Sequence, residues 1–307
     1  NAHGTDVASA SGWPELPQSV QADVLYAALK LLGSLTPPEG WTSLGGIPRQ
    51  VRAGYRALRL LVRVNQELLE QLSVSTWTRW AETILGWSFD DGKDDRQMLL
   101  RLLQQSAPSA LVDAVRVVAR SERTRRGSFH FTYRLAGLWD DVLCDTVINE
   151  LSHVDVPSDA FAHGLAEMLK GSAPGAESLA TRLVANRASY DDARVDVAAA
   201  LLLAHSATPP WSSIWPLLEA NLERGLRILI LAMNANRHLR FNRYLSANEA
   251  GNLFIWLARA YPPADDPRRP QVHTPTKNDY LIEFRVAVLA ELAARGTEDS
   301  FQQVLRI

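Results

Sequence analysis

Apolar helical segments separated by short Pro, Gly or Ser breaks fill the stretch from Trp139 to Pro267. Three pairs of predicted helices begin near Trp139, Gly175 and Pro210, so the pattern recurs about every 35 residues, a spacing typical of helical-repeat proteins. A helix pair of this length cannot bury its apolar faces alone and must pack against its neighbours. The pattern therefore predicts an all-α fold, an α-solenoid of stacked helix pairs of the HEAT or TPR type.

The same apolar spacing predicts helices on both sides of this stretch, and strand-like alternation is confined to residues 128–134. The predicted helices are residues 20–35, 48–72, 76–85, 95–105, 108–121, 140–152, 158–170, 175–187, 190–205, 211–224, 225–236, 247–261, 278–295 and 298–306. Residues 120–127 are predicted to form a basic loop. We expect an N-terminal helical region, residues 3–130, that is continuous with a C-terminal helical-repeat region, residues 131–307.

Composition excludes several classes of protein. The 307 residues include 32 Lys and Arg against 34 Asp and Glu, so no global positive field favours nucleic acid or an anionic membrane. Cys144 is the only cysteine, which excludes an internal disulfide and a cysteine-based zinc site and fits a reducing cytoplasm. No apolar run approaches the ~18 residues of a membrane span. We therefore expect a cytoplasmic protein without a membrane partner.

The first two residues, Asn1 and Ala2, resemble the scar that remains after removal of an affinity tag. This interpretation predicts that the chain is a piece of a longer protein, whose other parts could carry functions that are absent here.

No complete catalytic signature is present. The phosphate loop of NTPases, the glycine-rich dinucleotide loop and the nucleophile elbow of hydrolases are all missing from the sequence. Glu150 and His153 stand three residues apart on one predicted helix, but a di-iron bundle needs a second such pair. We therefore expect no metal, no cofactor and no enzymatic activity in this chain. The enzymatic alternative is a site assembled from separate helices around His130, Asp140 and His153.

Three clusters of basic residues are the candidates for ligand binding. In the first, five arginines recur at spacings of three and four along one predicted helix, which places them on one face. The other two lie between predicted helices, where repeat proteins often present binding residues. The functional interpretation of such a face is anion binding, and the alternative is a solvated helix face or one paired with carboxylates on neighbouring helices. The candidate residues are Arg49, Arg52, Arg56, Arg59 and Arg63; Arg120, Arg123, Arg125 and Arg126; and Arg237, His238, Arg240 and Arg243.

A family resemblance is carried by three blocks in the second half of the chain. They are Trp211-Ser212-Ser213-Ile214-Trp215-Pro216; Leu245-Ser246-Ala247-Asn248-Glu249 with Leu253-Phe254-Ile255-Trp256-Leu257, Tyr261-Pro262-Pro263 and Asp265-Asp266-Pro267; and Phe284-Arg285, Leu289, Leu292, Arg295-Gly296-Thr297 and Leu305-Arg306-Ile307. In their order and their placement of Trp and Pro, these blocks make residues 139–307 resemble the C-terminal helical region of bacterial NACHT-type STAND NTPases, relatives of animal NLR immune receptors. The resemblance implies a sensor that recognises a trigger, often a phage component, downstream of an ATPase module and an effector.

We therefore interpret the chain as a non-catalytic recognition domain that binds a protein or peptide ligand in bacterial antiviral signalling. The alternative is a nucleic-acid-binding helical-repeat protein that uses its arginine-rich faces. That alternative predicts an affinity that falls steeply as the salt concentration rises.

Overall fold

The structure, a computed structural model, describes residues 6–10, 12–88, 92–126, 129–237, 239–266 and 277–307. Within these ranges the chain consists of helices and the turns that join them, without a β-strand. The prediction of an all-α protein is therefore confirmed. Asn1 and Ala2, interpreted above as a tag scar, lie outside the described residues.

The chain folds into two compact units, residues 1–174 and 175–307. The boundary predicted between residues 130 and 131 lies inside the first unit, at the start of the 3-10 helix His130–Leu135. The α-helices of the first unit are α1 (Gln18–Ser34), α2 (Arg49–Val64), α3 (Glu67–Glu70), α4 (Val74–Gly86), α5 (Lys93–Ser106), α6 (Pro108–Arg126), α7 (Asp141–Leu151) and α8 (Ser158–Lys170). Those of the second unit are α9 (Ala176–Ala185), α10 (Asp192–His205), α11 (Trp211–Ala220), α12 (Leu222–Ala235), α13 (Ala247–Ala260), α14 (Lys277–Ala294) and α15 (Glu298–Arg306).

Buried aromatic side chains hold the helices of the first unit together. Trp77 and Trp80 have no exposed surface, and the ring of Tyr55 stacks on that of Trp87 with 4.2 Å between the centroids. Trp80 of α4 lies directly over Gly54 of α2, at a place where any side chain on residue 54 would collide with the indole. The two helices approach this closely because position 54 is glycine.

An aromatic cluster occupies the same role in the second unit. The ring of Trp211 lies 5.3 Å from that of Trp215 and 5.6 Å from that of Phe241. Trp215 in turn contacts Trp256, and Phe241 contacts Phe284 with 5.4 Å between centroids. The cluster joins α11, α13 and α14, and it fixes the 3-10 helix Phe241–Tyr244 between them.

The single helix predicted for residues 48–72 is interrupted. The α2 helix ends at Val64 because Asn65 has an extended backbone, with φ −156° and ψ 90°. Asparagine favours helix ends because its side chain competes for backbone hydrogen bonds. The short helix α3 follows and turns Leu69 into the core, where it has no exposed surface.

The loop predicted for residues 120–127 is wrong, because α6 continues through Arg126. Arginine is a good helix former, so a run of basic residues does not end a helix by itself. The helix boundary predicted between residues 224 and 225 is also displaced. It lies at Asn221, whose side-chain oxygen accepts a hydrogen bond from the backbone N–H of Arg224 at 3.0 Å. Part of the segment 128–134, which has strand-like alternation, forms the 3-10 helix, while Ser128 lies outside the described residues.

The capping interaction at the start of α13 leads to a first testable prediction. The Ser246 hydroxyl accepts a hydrogen bond from the Glu249 backbone N–H, and the Glu249 carboxylate accepts one from the Ser246 backbone N–H at 2.7 Å. Replacing Ser246 with alanine removes one half of this capping box, so the second unit should lose about 1 kcal/mol of stability. Urea unfolding followed by circular dichroism measures the loss. The control is Ser212→Ala, at an exposed serine in the first turn of α11, and equal midpoints for the two variants would contradict the prediction.

Candidate ligand-binding groove

The arginine stripe of α2 does not form one exposed cationic face. Arg59, predicted as a ligand-binding residue, is buried with 2% of its surface exposed. Its guanidinium Nε and Nη2 atoms lie 2.9 and 2.8 Å from Oδ2 of Asp95, and Nε of Arg63 lies 2.8 Å from the same oxygen. The reason is tertiary, because α5 packs against α2 and brings Asp95 onto the stripe. Arg63 also forms an ion pair with Asp6.

The remaining arginines of the stripe differ in exposure. Arg49 is exposed at the start of α2, whereas Arg52 and Arg56 are partly buried. Partial burial lowers the pKa of Arg63, but the hydrogen bond and the charge of Asp95 raise that pKa more, so the net shift is upward. Carboxylates of the same chain therefore neutralise part of the arginine stripe on α2.

The second basic cluster also contacts acidic residues of its own unit. Arg120 is exposed on α6, whereas Arg123 lies near two carboxylates, with 3.7 Å from Nη1 to Glu150 Oε2 and 3.3 Å from Nε to Asp155 Oδ2. The side chains of Arg125 and Arg126 lie outside the described part of the structure. Glu150, considered above as a metal ligand, is thus beside an arginine. Among the residues that the structure describes, no group of three or more His, Cys, Asp or Glu side chains could hold a metal ion.

The residues of the enzymatic alternative have different surroundings. The ring of His130 contacts that of His163 with 5.2 Å between centroids. Asp140 caps α7 by accepting a hydrogen bond from the Leu143 backbone N–H, and it accepts another from Gln104. His153 is exposed just after α7.

Cys144 is buried in α7 with 1% of its surface exposed. Burial, and to a lesser degree the negative charges of Asp140, Asp141 and Asp145, raise the pKa of its thiol to about 12. A thiol with this pKa is almost entirely protonated at neutral pH, which makes it a poor nucleophile.

The third basic cluster lines a groove in the second unit. Arg237, Arg240 and Arg243 stand along one side of a cavity of about 510 Å³, and α14 forms the other side. The guanidinium carbon of Arg237 lies 5.4 Å from the centroid of the Tyr280 ring. His238, the fourth residue predicted for this cluster, lies outside the described residues.

Two of these arginines are available to a ligand. Arg240 is exposed, and its side chain forms no ion pair or hydrogen bond with another residue in the described ranges. Arg243 has 59% of its side chain exposed, and its closest carboxylate oxygen, on Glu291, is 3.9 Å away. Ion pairs of this length at an exposed site contribute little stability, so Arg243 can change partner at small cost.

The opposite side of the groove is largely apolar. Leu239 and Phe284 are buried at its base, and the exposed alanines Ala287, Ala290 and Ala294 form a row along α14. Residues spaced by three and four on a helix share one side of it, so the row faces the groove as a continuous strip. The charged residues of α14 that line the groove are Glu283, one turn before Ala287, and Glu291.

Arg295 fixes the two sides of the groove to each other. It donates hydrogen bonds to the backbone oxygens of Leu245 at 2.7 Å and Asn242 at 3.0 Å. Its Nε also lies 3.8 Å from Glu291. Hydrogen bonds between a charged donor and a carbonyl are stronger than neutral ones, so Arg295 holds the 3-10 helix against the end of α14.

Sequence reasoning found one side of this groove and missed the other. The basic cluster at 237–243 was visible because its residues are close in sequence. Tyr280, Glu291 and Arg295 lie 43 to 58 positions from Arg237, so no local pattern could place them beside it. The available signal was the row of alanines on the predicted helix 278–295. A side of a helix that faces solvent normally carries charged residues instead.

The comparisons with known proteins add no identification. No family model matches the chain, and no curated protein and no solved structure matches it significantly. In the part of the chain that the structure describes, each helix is too short or too polar to cross a lipid bilayer.

Proposed function

We propose that this chain is a non-catalytic recognition domain, an α-solenoid of stacked helix pairs that binds a protein or peptide ligand. The observation that carries the proposal is the groove of the second unit, where exposed arginines face an apolar strip on α14. Peptide-binding grooves combine an apolar floor with a few charged groups that fix orientation.

The blocks that resemble STAND sensors support the proposal because they build this part of the molecule. Phe284 and Arg295, from the last block, form the base and one end of the groove. Arg285 forms an ion pair with Asp266 and donates a hydrogen bond to the Tyr261 backbone oxygen at 2.9 Å, which ties the Tyr-Pro-Pro block to α14. The resembling residues are thus partners of one another, as expected for a motif that specifies a local structure.

In this proposal the chain is the sensor part of a bacterial, cytoplasmic STAND protein in antiviral defence, and a phage protein is the expected trigger. An ATPase module and an effector would belong to the full protein. Ligand binding can shift a signalling equilibrium only if the ligand has different affinities for the two states of that protein.

Nucleic-acid binding through the arginine-rich faces receives less support. Arg59 and Arg63 are paired with Asp95, and Arg123 lies beside Glu150 and Asp155. Arginines that are paired within the chain cannot release counterions from a phosphate backbone, which is the main source of affinity for nucleic acid. The net charge of −2 also gives no long-range attraction.

A selection experiment tests the function. A display library of phage proteins and their fragments is selected against the purified chain, and each ligand is titrated by calorimetry. We expect one-to-one binding at about micromolar affinity or tighter. Hydrogen exchange with and without the ligand should show protection in the second unit.

The same chain is titrated at low salt with single- and double-stranded oligonucleotides. We expect no binding, because Arg59 and Arg63 of α2 and Arg123 of α6, which were expected to contact phosphates, lie beside carboxylates of the same chain. Tight oligonucleotide binding with a steep salt dependence, together with failure to select any protein ligand, would overturn the proposal in favour of the nucleic-acid alternative.

A further inference from the structure

We propose that the groove lined by Arg237, Arg240, Arg243 and α14 binds an acidic amphipathic helix of a partner protein. The inference rests on the proposed function and names the chemistry of its ligand. Three features carry it: the shape of the strip on α14, the sign of the charges beside it, and the anchored backbone of the segment that carries those charges.

The strip on α14 has a shape against which another helix can pack closely. Ala287, Ala290 and Ala294 are exposed and have the smallest side chain that still covers the backbone, so a second helix can lie close against them. From Tyr280 to Ala294 the groove follows α14 for about 21 Å, at ~1.5 Å for each residue. This length corresponds to about four turns of a partner helix, which could place one apolar residue from each turn on the strip.

The charge beside the strip is positive. Arg237, Arg240 and Arg243 stand on the side opposite α14, and Glu283 and Glu291 are the acidic residues that line the groove. Glu291 already lies near two arginines, Arg243 at 3.9 Å and Arg295 at 3.8 Å, so its charge is largely balanced. A helix with leucines on one side and glutamates on the flank would therefore meet apolar and cationic surfaces in matching positions.

The arginines are presented by a rigid support. Phe241 is buried between Trp211 and Phe284, and it anchors the segment that carries Arg240 and Arg243. Arg237 rests on the Tyr280 ring. A backbone segment that is already ordered loses less conformational entropy when its arginines bind a carboxylate.

Synthetic peptides test the ligand class. The probe is a fluorescein-labelled helical peptide of about 16 residues, with Leu on one face and Glu on the flanks, matched in length to the groove. Two companions replace every Glu with Lys or every Leu with Ser. In anisotropy titrations at low salt, the acidic peptide should bind the full chain at least about ten-fold tighter than either companion. Equal affinity for the Glu and Lys peptides would overturn the proposal, as would tighter binding of a single-stranded oligonucleotide to the same groove.

Substitutions then assign the binding to this groove. The double variant Arg240→Gln and Arg243→Gln should weaken the acidic peptide by roughly 3- to 30-fold, because each exposed charge contact is weak. The matched control is Arg182→Gln with Arg259→Gln, exposed arginines on α9 and α13 that do not line the groove, and it should leave the affinity unchanged. Equal effects of the two double variants would overturn the assignment.

A second variant changes the shape of the groove and leaves its charge unaltered. Ala290→Trp fills the groove without changing its charge and should abolish measurable binding, whereas Ala220→Trp, at the exposed end of α11, should not. Circular dichroism melting shows that each variant is folded. Unchanged binding by a folded Ala290→Trp variant would overturn the proposal.

The two proposals can fail separately. If a selected protein ligand binds the wild type and both groove variants equally, recognition stands and this groove is the wrong site. If the acidic peptide binds as expected but no protein ligand is found among the phage proteins, the groove assignment stands and the proposed antiviral function fails.

Discussion

Replacing Gly54 with alanine is expected to destabilise the first unit by about 3 kcal/mol. A Cβ atom at this position would lie 1.9 Å from Cη2 and 2.1 Å from Cζ3 of Trp80. The indole cannot move aside easily, because Trp80 has no exposed surface and its Nε1 donates a hydrogen bond to the Leu32 backbone oxygen at 3.0 Å. Helix propensity favours alanine by ~1 kcal/mol, and the expected cost of the collision exceeds this gain.

Thermal melting measures the effect, with a midpoint about 10 °C lower for this unit. Gly33→Ala is the matched control, because it makes the same change in a helix where the new Cβ meets no atom within 4 Å. That variant should be as stable as the wild type or slightly more stable. A Trp80→Phe background, with its smaller ring, should reduce the cost of Gly54→Ala. Equal melting of the Gly33 and Gly54 variants would show that the two helices are not packed as described.

Replacing Asp95 with asparagine is expected to cost about 3 kcal/mol, because it removes a negative charge beside a buried guanidinium. Asp95 Oδ2 contacts Arg59 at 2.8 and 2.9 Å and Arg63 at 2.8 Å, and Arg59 is 2% exposed. Asparagine has nearly the same shape, so the change tests charge and hydrogen bonding while the packing is kept. Gly92 has its backbone close against the Arg59 guanidinium, which leaves little room for that side chain to move toward water.

Urea unfolding measures the loss. The control is Asp94→Asn, at an exposed neighbour in the same first turn of α5, which reports the effect of the helix dipole alone, about 0.5 kcal/mol. A double variant, Arg59→Met with Asp95→Leu, should be more stable than Asp95→Asn, because it removes both charges at once. A midpoint for Asp95→Asn as high as that of Asp94→Asn would contradict this account of the arginine stripe.

Local sequence patterns predicted most of the helices, for physical reasons that act over a few residues. The predicted helix 158–170 matches α8 at both ends, and the predicted helix 298–306 matches α15. The predicted start at residue 247 matches α13, where the structure shows a capping box between Ser246 and Glu249, only three positions apart. One error arose where a single residue interrupted a continuous pattern, as Asn65 did within the predicted helix 48–72.

The candidate site was only partly predictable. A position between predicted helices favoured two of the three basic clusters, and the chain itself gave no reason to prefer the cluster at residues 237–243 over that at residues 120–126. The structure distinguishes them, because Arg59 meets a carboxylate 36 positions away while Arg240 meets none among the described residues. Whether a cation is neutralised depends on which helix packs over it.

The sequence by itself determined that this protein is helical, where most of its helices begin and end, and which segments carry positive charge. These properties follow from side-chain periodicity, capping and composition, which act between near neighbours. Only the tertiary structure decided which arginines are buried in ion pairs and which line a groove. Contacts such as that from Arg295 to the Asn242 backbone oxygen, 53 positions away, arise when distant helices pack, and packing depends on shapes that no local pattern encodes.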